Sequence, residues 1–277
     1  MTAGRVSTFS RSGLTFDVRD EGPLDGPTVV LLHGFPQDSS SWDKLAPLLH
    51  ARGFRTVAPD QRGYSPGARP RARRAYRGSE LAADVAALID ELEVGKVDLV
   101  GHDWGAAVAW QVAAKHSDKL RTLTTLSVPH PIAFLGSMLR STQGLKSWYM
   151  IAFQVPFLPE WALSSTGVGE KLLISSGQSP ANVRRDLAAM RAPGRLRGGV
   201  NWYRAMWMSV PGNARITVPT LHVWSDGDTA LGPKGAALTP KYVDGPYRFE
   251  VLPGVSHWIP DEAPEAVDRL LGEHLTP

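Results

Sequence analysis

Asp103 stands at the centre of Gly101-His102-Asp103-Trp104-Gly105, between an apolar run and an alanine-rich one. Glycines on both flanks let a chain pass sharply from strand to helix and raise the middle side chain above a sheet. A carboxylate in that place is ionised at neutral pH and needs no base to attack a saturated carbon. The product is an alkyl ester, whose carbonyl carbon water can then attack. Taken alone, an aspartate here reads equally well as a helix N-cap. Release of an ester needs a second group that activates water, so the downstream residues decide between the two.

After "TLHVW" at 220–224 comes Ser225-Asp226-Gly227-Asp228, with two acids in reach of a histidine. Asp228 is the preferred imidazole partner and Asp226 the surface turn residue. After "YRFEVL" at 247–252 comes Pro253-Gly254-Val255-Ser256-His257-Trp258, and of the eight histidines only His257 follows the last strand at this offset, which makes it the base candidate. The order is nucleophile, acid, histidine. Upstream, "LLHGFPQ" at 31–37 ends the first buried strand in a His-Gly turn. A backbone N–H from that loop and the N–H after the nucleophile are expected to form an oxyanion hole, here Phe35 and Trp104. The tight turn also suggests a cis Phe35–Pro36 bond.

These residues need a sheet whose strand ends converge. Short strands are predicted around Val6–Phe9 and Thr15–Val18. "TVVLL" at 28–32, "RTVAP", "KVDLVG" and "LRTLTTLSV" read as buried strands. Between them "DSSSWDKLAPLLHARG" reads as a helix with serines at its start, "SELAADVAALIDELEVG" as a helix capped by Ser79, and "WGAAVAWQVAAKH" as a third. Such alternation predicts an α/β fold with a mostly parallel sheet, helices on both faces and ligands at the carboxyl ends of the strands. The pattern breaks from about 129 to 219, where aromatic and methionine residues fall in helix-compatible segments. It resumes at 220 and ends in a helix over Pro264–His274. The expected layout is a core of 1–128 and 220–277 with an inserted helical cap at 129–219.

The 277 residues suffice for one such domain, and 43% hydrophobic with 21% charged residues is ordinary globular usage. A formal net charge of +3 does not suggest a nucleic-acid partner, and the arginine-rich "ARPRARRAYR" at 68–77 reads as a solvated loop. With no cysteine, disulfides, thiolate metal sites and cysteine nucleophiles are excluded. The first residues lack the apolar run of a signal peptide, and the greasiest stretch, "WYMIAFQVPFLPEWAL" at 148–163, is broken by Gln154, Pro156, Pro159 and Glu160. A cytoplasmic protein without a membrane span is therefore expected.

"HGFPQ", "APDQRGYS", "GHDWG", "SDGD" and "GVSHW" follow one another along essentially the whole chain. On these motifs it resembles the soluble epoxide hydrolase branch of the α/β-hydrolase superfamily. The resemblance implies the α/β-hydrolase fold, with Asp103 as nucleophile, Asp228 as acid and His257 as general base. It also implies two tyrosines projecting from the cap. Tyr203 in "NWYR" matches one such motif, and Tyr149 in "SWYMIAFQVP" fits by its place and by the Phe-Gln-x-Pro that follows. These are the only two of the six tyrosines in the inserted segment, and each directly follows a tryptophan. The expected partners are a small apolar epoxide and water, with no metal or organic cofactor. Pro36, Trp148, Phe153, Trp202, Trp207 and Trp258 are expected to line the pocket. Oligomeric state is not readable.

A haloalkane dehalogenase is the competing expectation, because an indole after the nucleophile also suits a halide. Phe35, however, stands where such enzymes often carry asparagine. The arginine pattern of fluoroacetate dehalogenases is contradicted by Trp104 and Ala107. A non-catalytic receptor on this fold would be marked by a broken triad, and a serine-type esterase would need a hydroxyl at 103.

Overall fold

The computed structural model describes residues 4–164, 167–208 and 215–275. Its strands are β1 (Thr8–Arg11), β2 (Leu14–Glu21), β3 (Thr28–Leu32), β4 (Arg55–Pro59), β5 (Val97–His102), β6 (Leu120–Leu126), β7 (Thr220–Ser225) and β8 (Tyr247–Leu252). They form one eight-stranded sheet in the order β1-β2-β4-β3-β5-β6-β7-β8. β1/β2 and β2/β4 pair antiparallel, and every pair from β4 to β8 is parallel. The continuous β-branched runs follow from burial on both faces. Val30 and Leu32 pack into one layer of the core, whereas Val29 and Leu31 pack into the other.

Helices α1 (Ala46–Ala51), α2 (Gly78–Glu91) and α3 (Trp104–Lys115) fill the crossovers. Two expected helices differ in their limits. The segment after β3 opens with a 3-10 turn at Ser39–Trp42 and becomes α-helical only at Ala46. Pro47 is the reason: it is tolerated in a first turn but in mid-helix lacks a donor and strikes the preceding turn. Ser79 lies inside α2, whose N-cap is Arg77.

Between β6 and β7 the described chain passes through α4 (Pro131–Arg140), α5 (Gln143–Lys146), α6 (Trp148–Ala152), α7 (Leu158–Ser164), α8 (Val168–Ser175), α9 (Pro180–Met190) and α10 (Arg195–Ala205). Ile216, within the range expected for the cap, already pairs with Val243 in an isolated parallel bridge beside the core. α11 (Pro233–Leu238), α12 (Ile259–Glu262) and α13 (Pro264–His274) complete the fold. The arginine-rich tract carries a 3-10 turn at Arg73–Tyr76 that buries Tyr76, while Arg71, Arg73 and Arg74 face solvent. Among the described residues no helix is long and apolar enough to cross a membrane.

Candidate active site

β5 delivers Asp103 to the turn before α3 with φ 51° and ψ −123°, a left-handed backbone for a residue with a side chain. Such a conformation costs on the order of 1–3 kcal/mol and is held by its surroundings. Gly105 permits the turn, because a Cβ there would lie 2.0 Å from the Leu32 carbonyl oxygen of β3. The β3/β5 register sets Leu32 opposite Gly101, so the loop leaving β3 passes directly beside Asp103. There the Phe35 N–H donates to Asp103 Oδ1 at 2.8 Å, and the Phe35–Pro36 bond is cis. Trp104 opens α3, so its N–H has no intrahelical acceptor. His33 shapes the same loop: its Nδ1 donates to the Gly34 carbonyl at 3.0 Å and its Nε2 accepts from the Gln61 N–H at 3.1 Å.

The loops after β7 and β8 bring the other two residues. Asp228 is 3% exposed and Asp226 is exposed, each with its own task. Asp228 Oδ1 accepts from the N–H groups of Ala230 and Leu231, both at 2.8 Å, and Oδ2 meets His257 Nδ1 at 2.7 Å. Asp226 Oδ1 accepts from the Gly254 N–H at 2.7 Å and so pins the two loops together. His257 lies back over the strand ends, its carbonyl accepting from His102 Nε2 at 2.8 Å and from Ser127 Oγ at 3.2 Å. Its Nε2 stands 3.4 Å from Asp103 Oδ2. One imidazole thus bridges two carboxylates.

The electrostatics follow. Burial works to raise the Asp103 pKa, but the hydrogen bond and charge of His257, with the Phe35 N–H, hold it below the usual carboxylate value. Burial works to lower that of His257, yet the two carboxylates outweigh it and push it up to about 10. Tyr149 and Tyr203 share a cavity of about 330 Å³ with Asp103 and His257, their rings 6.0 Å apart. Burial first, and the Asp103 charge second, push both phenols well above the ordinary tyrosine value, so both are protonated. The Trp104 indole, edge-on to the Tyr203 ring at 4.9 Å, opposes the rise there.

Of the six side chains expected in the pocket, Trp202 and Trp207 line the cavity. The other four are placed elsewhere. Trp148 is 59% exposed, because α6 turns its neighbours Tyr149 and Met150 inward and leaves Trp148 on the outer face. Phe153, one turn beyond Tyr149, packs edge-on to Phe35, Tyr149 and Tyr203 and forms the wall behind the phenols. Trp258 stands perpendicular to the His257 ring at 5.4 Å and donates to Ser176 Oγ at 3.0 Å. Pro36 lies outside the cavity lining.

Sequence reasoning missed Gln143. It is buried, donates to the Ala230 carbonyl at 2.8 Å and to Ser147 Oγ at 2.9 Å, and accepts from the Gly232 N–H at 2.8 Å. It clamps the turn whose amides hold Asp228. Lys146 adds a bond to the Asp228 carbonyl at 3.1 Å. A single glutamine in an amphipathic stretch carries no pattern that would single it out.

A strained carboxylate at a strand-to-helix elbow, with acid and histidine on later strand ends of a mostly parallel sheet, defines the α/β-hydrolase class. The family model of the alpha/beta hydrolase fold matches residues 27–264, and the chain belongs to that family. It is similar to the AB hydrolase superfamily protein YfhM of Bacillus subtilis, at 34% identity over 99% of both chains. It is also similar to epoxide hydrolase A of Mycobacterium tuberculosis, at 30% identity over 96% of this chain and 95% of that protein. A solved structure described among novel epoxide hydrolases from metagenomes of hot environments superposes with a TM-score of 0.84 at 30% identity, covering 100% of this chain and 99% of the other.

Proposed function

We propose that this chain hydrolyses an apolar epoxide to a vicinal diol in two steps, through an alkyl ester on Asp103. The observation that carries the reading is the Asp103–His257–Asp228 series, set in one cavity with two protonated phenols. Relatives named as epoxide hydrolases support it. In this reading residues 129–219 form the cap that supplies Tyr149 and Tyr203.

Asp103 Oδ2 attacks a ring carbon while Oδ1 is held by the Phe35 N–H. The carbon–oxygen ring bond breaks, and Tyr203 or Tyr149 gives its proton to the departing oxygen, an alkoxide being a stronger base than a phenolate. Positioned acids of this kind contribute roughly 100- to 10,000-fold. Ester formation removes the Asp103 charge, and the resting His257 imidazolium passes its proton to the phenolate. In the second step the now neutral His257 Nε2 takes a proton from water, and the hydroxide adds to the ester carbonyl carbon. The oxyanion is held by the N–H groups of Phe35 and Trp104. Collapse breaks the ester carbon–oxygen bond, and the proton of the new Asp103 carboxyl passes to the departing alkoxide. The diol leaves behind an Asp103 carboxylate and a His257 imidazolium, as in the resting site.

A haloalkane would meet the same nucleophile, but the Trp104 ring that would hold a halide stands edge-on to Tyr203, centroids 4.9 Å apart. A panel of epoxides, haloalkanes and p-nitrophenyl esters separates these readings. The direct test of the two-step route is His257→Gln. Mixed with an epoxide, this variant is expected to gain the mass of one substrate on the peptide containing Asp103, with one burst equivalent and little steady turnover. If it binds epoxide yet forms no adduct, while wild-type enzyme in heavy-oxygen water labels the diol and never Asp103, water attacks directly and Asp103 is a base.

A further inference from the structure

The cavity does not end at the catalytic groups. Trp104, Ala107, Val108 and Gln111 of α3 all line it, at i, i+3, i+4 and i+7, so it follows one stripe of the helix for two turns. At the helical rise Gln111 stands about 10 Å along the axis from Trp104. Beside Gln111 the lining includes Tyr76, Gly78 and Leu81. A Cβ built at Gly78 would lie 2.1 Å from the Gln111 amide nitrogen and 2.4 Å from its oxygen, so the absence of a side chain there makes room for the carboxamide.

Away from Asp103 and the phenols, the polar groups of this cavity are mostly engaged. The Tyr76 hydroxyl donates to the Pro70 carbonyl at 2.9 Å, and the Trp202 indole donates to the Arg62 carbonyl at 2.7 Å. The Trp207 ring is mostly in solvent. Among the described residues the Gln111 carboxamide has no hydrogen-bond partner, although it is half-buried in an otherwise apolar wall. Its amide atoms therefore open onto the cavity, where a ligand atom can meet them with little water left to compete. Among the described residues no lysine or arginine lines the cavity, so beside Gln111 none would neutralise a carboxylate.

We propose that Gln111 is a specificity-determining residue, whose carboxamide receives the uncharged, oxygen-bearing end of a long, otherwise apolar epoxide with its ring at Asp103. The inference rests on the epoxide reading and narrows it: the substrate is amphiphilic, with a hydroxyl or carbonyl at a fixed distance from the ring.

The test compares straight-chain terminal epoxides of equal length, ending in hydroxyl or in methyl and long enough to span from Asp103 to Gln111, with the full chain and with Gln111→Leu. The readout is the ratio of kcat/KM for hydroxyl-ended over methyl-ended substrate. In Gln111→Leu it is expected to fall roughly threefold to tenfold, the worth of one neutral hydrogen bond. For chains too short to reach Gln111 the same ratio is expected to be alike in both proteins, which a general loosening of α3 would not produce. Gln111→Met, unbranched and of similar length, replaces Gln111→Leu if the latter loses the fold. A ratio unmoved by substitution, with wild-type enzyme turning over the epoxides, overturns the inference alone. If wild-type enzyme opens neither these substrates nor a short styrene-oxide-type epoxide, the epoxide reading falls and the inference with it.

Discussion

His257 Nε2 faces Asp103 Oδ2 at 3.4 Å, and that contact couples the charge of the proposed nucleophile to the basicity of the proposed base. In the resting site His257, raised to about 10, is an imidazolium at neutral pH. Converting Asp103 to a neutral ester removes one of the two carboxylates that hold the proton. In the proposed mechanism the pKa of His257 would then fall, and a base would become available in the step that needs one. Alkylation needs only an ionised Asp103, which is held below the usual carboxylate value, so it is expected to persist into acid. Ester hydrolysis is expected to rise with pH through a midpoint below that of the free enzyme. Single-turnover tryptophan fluorescence across pH resolves the two rates, and alkylation that fades as pH falls through neutrality would contradict the assignment. Asp228 and Asp226 differ as sharply at this scale. Asp228→Asn strips the imidazole of its buried carboxylate, whereas Asp226→Asn alters an exposed loop tie, so turnover is expected to fall far more in the first. Equal losses in steady-state assays would reverse that division.

At the scale of elements, α5 and the loop after β7 act as one unit. Gln143 binds the Ala230 carbonyl and the Gly232 N–H, and Ser147, which it also bonds, directly precedes the α6 turn carrying Tyr149. Gln143→Met keeps the volume but leaves those buried groups unpaired, so a stability loss of about 2 kcal/mol is expected. Slower ester hydrolysis is expected with it, as Asp228 loosens. Denaturant unfolding together with single-turnover hydrolysis checks both, and a destabilised variant with unaltered hydrolysis would confine Gln143 to a structural role. This clamp was invisible in the sequence, because it joins residues 87 apart. The central strands were legible, since burial on both faces writes itself as continuous β-branched runs, whereas the first, expected around Val6–Phe9 and only half-covered, lies at Thr8–Arg11. The last helix, expected from about Pro264 to His274, lies there. Asp103, Asp228 and His257 could be grouped because each follows a strand end, where the fold delivers its loops, and the structure brings the three side chains together. Trp148 was misread because a short helix between loops gives too few turns to fix its inward face.

Over the whole molecule, the helices between β6 and β7 are tied to the core by buried charges. Arg195 of α10 pairs with Asp38 in the loop after β3, and Arg185 of α9 bridges Asp186 to Asp261 of α12, four residues beyond His257. Asp261 also accepts from Gln37 Nε2 at 2.7 Å, and Gln178 donates to Asp186. One guanidinium therefore serves two buried carboxylates. Burial outweighs Arg185 and Gln178 at Asp186, with the Asp261 charge adding to it, and raises its pKa to about 6. An unfolded aspartate titrates near 3.9, so the folded state binds this proton more tightly. The stability it contributes is fully present below about 4 and is lost as pH rises through about 6, a change on the order of 3 kcal/mol. Asp38 and Asp103, with lowered values, act in the opposite sense, their stabilisation fading as pH falls through their folded values. The Asp186 contribution must therefore be isolated by difference. Asp186→Asn cannot take up the proton, so the melting temperature of wild-type protein relative to this variant is expected to climb by several degrees between neutral pH and about 4. Parallel melting curves over that range would mean that the carboxylate joining α9 to the loop behind His257 does not titrate there, and that Arg185 holds it ionised throughout.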